Sequence, residues 1–186
     1  MNMNELITTK QMRWSYLAGL LDGDGCFTLS LNLTRVKNPS ITVSPQIGIG
    51  LKENDSSFLI KFCEELKLGK IYFSNKGKLH GKCTWQTTNI SDAIKFCEGV
   101  IPYLEIKKAK AEKFLTIAKF WRDTMPPAGG KRISGKRLRT KSQMKITVKT
   151  AIELNYDRQT VRYREKKGWD YWNTMIDKLY QKDDEI

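Results

Sequence analysis

The sequence predicts an α+β fold: one helix leads into two strand–strand–helix units, in the order αββαββα, and a basic helical extension follows. Three observations predict it. The hydrophobic period switches between 3.6 and 2 along residues 10–124. Helix-start and helix-stop residues bound the 3.6-period segments. A five-residue string, Ile60-Lys61-Phe62-Cys63-Glu64, recurs as Ile94-Lys95-Phe96-Cys97-Glu98, as two similar halves would require.

Each element has its own justification. Thr8 and Thr9 offer an N-cap for a helix over residues 10–22, which Asp22-Gly23-Asp24-Gly25 stops. From Phe27 the apolar residues Phe27, Leu29, Leu31 and Leu33 alternate with Thr28, Ser30, Asn32 and Thr34, the pattern of a half-buried strand. After a turn at Lys37-Asn38-Pro39, a second strand over residues 40–51 puts Ile41, Val43, Ile47, Ile49 and Leu51 on one side and Thr42, Ser44 and Gln46 on the other. Pro45 marks an edge or a bulge in it. Asn54-Asp55-Ser56 caps a helix that ends near Leu68, before Gly69. Residues 70–74 and 82–88 form the second strand pair, with Lys70, Tyr72 and Ser74, and Lys82, Thr84, Gln86 and Thr88, on the polar sides. Helices follow over residues 89–100 and 104–124.

Met125-Pro126-Pro127-Ala128-Gly129-Gly130 reads as a linker. It divides the chain into a core, residues 1–125, and a basic extension, residues 126–186, expected to form two helices and to dock on the core through a stripe of Trp169, Trp172, Met175, Ile176 and Leu179.

Composition narrows the function classes. A hydrophobic content of 40% suits a folded globule, and no run reaches the roughly 20 apolar residues of a membrane span. With a polar start and no targeting segment, the protein is expected inside the cell, in a prokaryotic cytoplasm or an organelle. Four dispersed cysteines (Cys26, Cys63, Cys83, Cys97) and a lone histidine, His80, give no zinc-ligand spacing. The formal charge of +13 points to a polyanionic partner. Residues 129–167 carry 13 of the 33 basic residues against three acids, and Arg137, Arg139 and Lys141 are expected to meet nucleic-acid phosphates there.

The chemistry gathers at the end of the first helix. Asp22 and Asp24 lie at the negative end of the helix dipole, an unfavourable placement that a bound cation would offset. An EF-hand is excluded, because Cys26 and Leu33 stand where that loop needs acids. Ordinary Asp-Gly turn chemistry is the competing explanation. The small pair Ala18-Gly19 in an otherwise bulky helix points to close approach of a partner helix.

The string Leu17-Ala18-Gly19-Leu20-Leu21-Asp22-Gly23-Asp24-Gly25 closely resembles the LAGLIDADG motif of homing endonucleases, and residues 10–124 resemble that family's element order. The resemblance implies a saddle of strands over double-stranded DNA, cut by hydrolysis with divalent metal ions: Mg²⁺ first, with Mn²⁺ or Ca²⁺ able to occupy the same sites. It assigns Asp24 and the carbonyl of Gly23 to the metal, and Lys107 to the scissile phosphates. With one motif per chain it implies a homodimer through Ala18, Gly19 and Asp22, acting on a long, near-palindromic site and leaving 3′ overhangs. The polar strand residues named above would read base edges. One position departs from the pattern: the glutamine that many members carry late in the second strand corresponds to Leu51, followed by Lys52. Two alternatives stay open, a cleavage-inactive protein of the same fold (a maturase on intron RNA or a DNA-binding regulator) and a structural RNA-binding protein.

Overall fold

The computed structural model describes residues 3–34, 40–74, 81–124, 139–155 and 169–181. Its elements are α1 (Met3–Asp24), β1 (Gly25–Thr34), β2 (Ser40–Lys52), α2 (Ser57–Leu66), β3 (Lys70–Ser74), β4 (Lys82–Gln86), α3 (Ile90–Val100), α4 (Lys108–Asp123), α5 (Lys141–Asn155) and α6 (Trp169–Gln181). The expected αββαββα order is therefore present, and its strands form one sheet in the order β1-β2-β4-β3. β4 runs antiparallel to both β2 and β3. The β2–β4 register spans only Gly48 to Lys52, so Pro45 lies outside it and interrupts none of its pairs.

Several boundaries differ from expectation. α1 runs through Thr8 and Thr9, which therefore do not cap it. α4 begins at Lys108 rather than at Leu104, because residues 105–107 turn their amides to a side chain instead of into a helix. The end of α2 has a specific cause: Lys67 adopts a left-handed conformation, φ 52°, and Gly69 follows at φ 73°. A β-carbon at Gly69 would lie 2.6 Å from the Gln86 carbonyl, so no other residue fits.

By contacts the chain divides into two compact units, Met1–Phe27 with Pro45–Leu115, and Thr28–Ser44 with Thr116–Ile186. This is not the division expected at residue 125. The end of α4 belongs with the C-terminal helices, because Trp121 and Thr124 bind Arg139.

In the first unit, Trp85 of β4 meets Phe62 of α2 and Phe96 of α3, with ring centroids 5.6 and 4.6 Å away. Phe62 and Phe96, the aromatic positions of the sequence repeat, are themselves 6.1 Å apart, edge to face. Leu17, Ala18 and Leu21 bury the inward face of α1, while Trp14 packs over Gly99, where a β-carbon would lie 2.6 Å from the indole. In the second unit α5 packs on α6, burying Met144, Val148 and Ala151 with Trp172, Ile176 and Leu179. Trp172, Ile176 and Leu179 of the expected stripe thus pack within the extension, and Met175 is half-buried; the Trp169 side chain lies outside the description. Among the described residues no helix is long and apolar enough to cross a membrane.

Candidate active site and nucleic-acid interface

α1 ends where Gly23 and Gly25 flank Asp24. At Gly25 a β-carbon would come within 2.6 Å of the Leu21 Cα, so the step from helix to strand requires glycine. The last turn leaves backbone carbonyls without helical partners, and Lys107 fills that gap. Its ammonium donates to the carbonyls of Leu21 at 2.8 Å, Gly23 at 3.1 Å and Gly25 at 3.1 Å.

Asp22 fixes the segment that carries this lysine. Its carboxylate accepts the amides of Glu105 (2.9 Å), Ile106 (3.3 Å) and Lys107 (2.8 Å). Partial burial would raise the Asp22 pKa. The amides of Glu105, Lys107 and Ile106, with the nearby Lys107 charge, outweigh that and hold it below its ordinary value. Two acids are therefore tolerated at this helix end without invoking a metal for both: the charged Asp22 carboxylate is satisfied inside its own chain. Asp22 thus acts within its own chain while staying part-exposed. Sequence reading missed the cap, since nothing local links residue 22 to residues 105–107.

Asp24, by contrast, is exposed. Its carboxylate and the Gly23 carbonyl are hard oxygen donors of the kind that suit Mg²⁺, Mn²⁺ or Ca²⁺. The carbonyl cluster already holds a cation in the form of Lys107, so the donor set fits a metal. Among the described residues no group of three or more metal-binding side chains occurs.

Ala18 and Gly19 separate. Ala18 is fully buried within the chain, which removes it from the expected interface: its spacing places it beside Leu17 and Leu21 on the inward face. Gly19 is exposed, and among the described residues nothing lies within 4 Å of where its β-carbon would be. Met12, 68% exposed, and Tyr16, 54%, continue that outer face. A groove of about 770 Å³ runs beside it, lined by Ser15, Gly19, Asp22 and Gly23 and by residues 102–106.

The strand residues keep the expected alternation. In the first unit the register aligns three rows on one sheet face: Gly48 with Gln86 and Lys70, Gly50 with Thr84 and Tyr72, and Lys52 with Lys82 and Ser74. Cys83 and Trp85 are buried on the opposite face. Gln46 precedes these rows on the same side of β2, and Thr88 is exposed beyond the end of β4. Leu51 pairs with Cys83, so Lys52, not Leu51, is the polar-face residue at that end of β2. In the second unit Thr28, Ser30 and Asn32 alternate with buried or half-buried apolar neighbours, as do Thr42 and Ser44. The Thr42 hydroxyl donates to the Asn32 carbonyl at 3.4 Å. The Thr34 side chain lies outside the description, as does Arg137.

Arg139 is not the exposed phosphate contact expected of it. Its guanidinium lies 3.4 Å from the centre of the Trp121 ring and donates to the Thr124 hydroxyl and the Trp121 carbonyl, at 2.9 and 3.2 Å. Burial lowers its pKa to about 10, with Tyr180 opposing, so it remains cationic at neutral pH. Its own carbonyl accepts the Tyr180 hydroxyl at 2.6 Å. Lys141 is half exposed but, with Lys145, pairs to Asp177 at 3.1 and 2.9 Å. Charge counting located these residues without seeing that an indole face and an acid had already taken two of them.

A family model described as LAGLIDADG endonuclease matches residues 17–122. No curated protein matches. Among solved structures, the homing endonuclease I-CvuI in complex with the I-CreI target is 18% identical, with a TM-score of 0.67 over 92% of this chain and 96% of that one. The archaeal intron-encoded homing endonuclease I-Vdi141I complexed with DNA is 20% identical, with a TM-score of 0.67 over 90% and 96%. These likenesses extend past residue 125, so part of the C-terminal region belongs to the shared fold rather than to an individual addition. The family model spans more than half the chain and begins at the motif whose end carries Asp24 and binds Lys107; the chain belongs to the LAGLIDADG endonuclease family and is a sequence-specific, DNA-cleaving hydrolase.

Proposed function

We propose that two copies of this chain pair along the outer face of α1 and cut a long, near-palindromic double-stranded DNA site, one strand per subunit, leaving 3′ overhangs. The observation that carries this reading is the end of α1. An exposed Asp24, the Gly23 carbonyl and the Lys107 ammonium meet there, on a helix whose outer face is opened by Gly19. Pairing at this face would bring two such helix ends together, one for each DNA strand.

Asp24 and the Gly23 carbonyl would hold a divalent ion, with Mg²⁺ as the working metal. Such an ion, when bound, stabilises charge on the attacking and leaving oxygens of the phosphodiester. Asp22 sets the backbone of residues 105–107, and with it the root of the Lys107 side chain. Lys107 places a positive charge beside the metal ligands, suited to charge building on phosphate. Asp24 and Lys107 are the catalytic residues of this reading. The polar strand faces meet the major groove, where the amide of Gln86 and the hydroxyl of Thr84 suit base edges and Lys70 and Lys82 suit guanine or phosphate.

Asp24→Asn tests the assignment. A target selected from a randomised DNA library should be cut by the wild type with Mg²⁺ and left intact by the variant. The variant's affinity for that DNA should stay within about tenfold, or ~1.4 kcal/mol. Cutting at near wild-type rate would remove Asp24 from the site.

A further inference from the structure

The carbonyls at the end of α1 form a cation site whose present occupant is a lysine of the same chain. Lys107 is held at both ends: its amide by the Asp22 carboxylate at 2.8 Å, its ammonium by the carbonyls of Leu21, Gly23 and Gly25. One of those carbonyls, Gly23, is the metal ligand of the reading above, on which this inference rests.

We infer that Lys107 is a tethered counter-cation that competes with the divalent ion at the Gly23 carbonyl, keeping the DNA-free protein weakly loaded. Two causes act in one direction. The ammonium uses the acceptor capacity that an ion would need. Its charge also repels a second cation placed beside it. A DNA phosphate arriving at this end of the helix would draw the ammonium toward itself and leave the carbonyl to the metal. Lys107 would then link metal loading to DNA binding, a positioning role in addition to its charge on phosphate.

Mn²⁺ binding to the full-length, DNA-free protein, followed by electron paramagnetic resonance and by calorimetry, tests this without any cleavage readout. Lys107→Met and Lys107→Gln both remove the charge, and the glutamine keeps a donor for the carbonyls. Each should bind Mn²⁺ about tenfold more tightly than wild type, roughly the repulsion of a single and a double charge some 5 Å apart in a water-like dielectric. Lys107→Arg, still charged, should gain nothing. Thermal denaturation confirms that each variant is folded: the neutral variants should melt below wild type without metal and recover as Mn²⁺ is added. Equal or weaker Mn²⁺ binding by a folded neutral variant overturns the inference while leaving the ligand assignment in place. If Asp24→Asn binds Mn²⁺ as wild type does, the metal lies elsewhere, and the ligand assignment and the inference fall together.

Discussion

Asp22 and Asp24 stand two residues apart in one motif and face opposite tasks. Asp22 turns its carboxylate to three amides of its own chain, and Asp24 faces solvent. Asp22→Asn should therefore act on stability. The neutral amide accepts more weakly and turns an N–H₂ group toward N–H donors, which should cost about 1–2 kcal/mol, moderated because water reaches the site. The pH dependence has a definite sign. A folded pKa below the ordinary 3.8 means that the carboxylate's contribution is complete above 3.8 and is lost as pH falls through the lower folded value. Urea unfolding should show a constant gap between wild type and Asp22→Asn at neutral and mildly acidic pH, closing once the pH drops below that range. A gap that persists into strong acid would mean that the variant disturbs packing rather than the charged cap.

At the scale of elements, local signals were legible and partners were not. Period-2 alternation identified both faces of β1 and β2 because each strand has one buried side, and the glycines after α1 and α2 marked true ends. Local signals place the start of α4 too early because residues 105–107 answer to Asp22, more than 80 residues away in sequence. Arg139 is illegible for a similar reason: the indole that takes it lies 18 positions upstream. The pair Ala18-Gly19 divides between two surfaces, Ala18 packing inward within the chain, since a helix turns 100° per residue and adjacent positions face different neighbours. Only Gly19 remains on the outer face. Among the described residues nothing lies within 4 Å of its missing β-carbon, so Gly19→Leu should leave the monomer fold intact. If α1 is the dimer seam, the added bulk should keep two helices apart. Sedimentation equilibrium should then show a shift from dimer to monomer with an unchanged circular dichroism spectrum; a Leu variant as dimeric as wild type would place the seam elsewhere.

For the whole molecule the question is which of the positive charges act on DNA. A net +13 draws the chain to any polyanion, but only charges that reach phosphate release counter-ions. Arg139 is excluded by its burial against Trp121, and Lys141 and Lys145 share Asp177. Lys70 and Lys82 remain exposed on the sheet's polar face, in register with Gln86 and Ser74. The salt dependence of binding distinguishes phosphate contact from guanine contact. If both contact phosphate, Lys70→Ala with Lys82→Ala should flatten the slope of log K against log salt by about 1.8 and weaken all DNA sequences alike. If they read guanine, specificity should relax at particular positions while the slope changes less. Arg139→Ala supplies the contrast. It should lower stability by about 2–3 kcal/mol, through the lost cation–π contact and two hydrogen bonds, and leave the slope where it was. A flattened slope in Arg139→Ala with unchanged stability would return that residue to the DNA interface. An unaltered slope and unaltered specificity in the double lysine variant would take the polar face of β3 and β4 out of it.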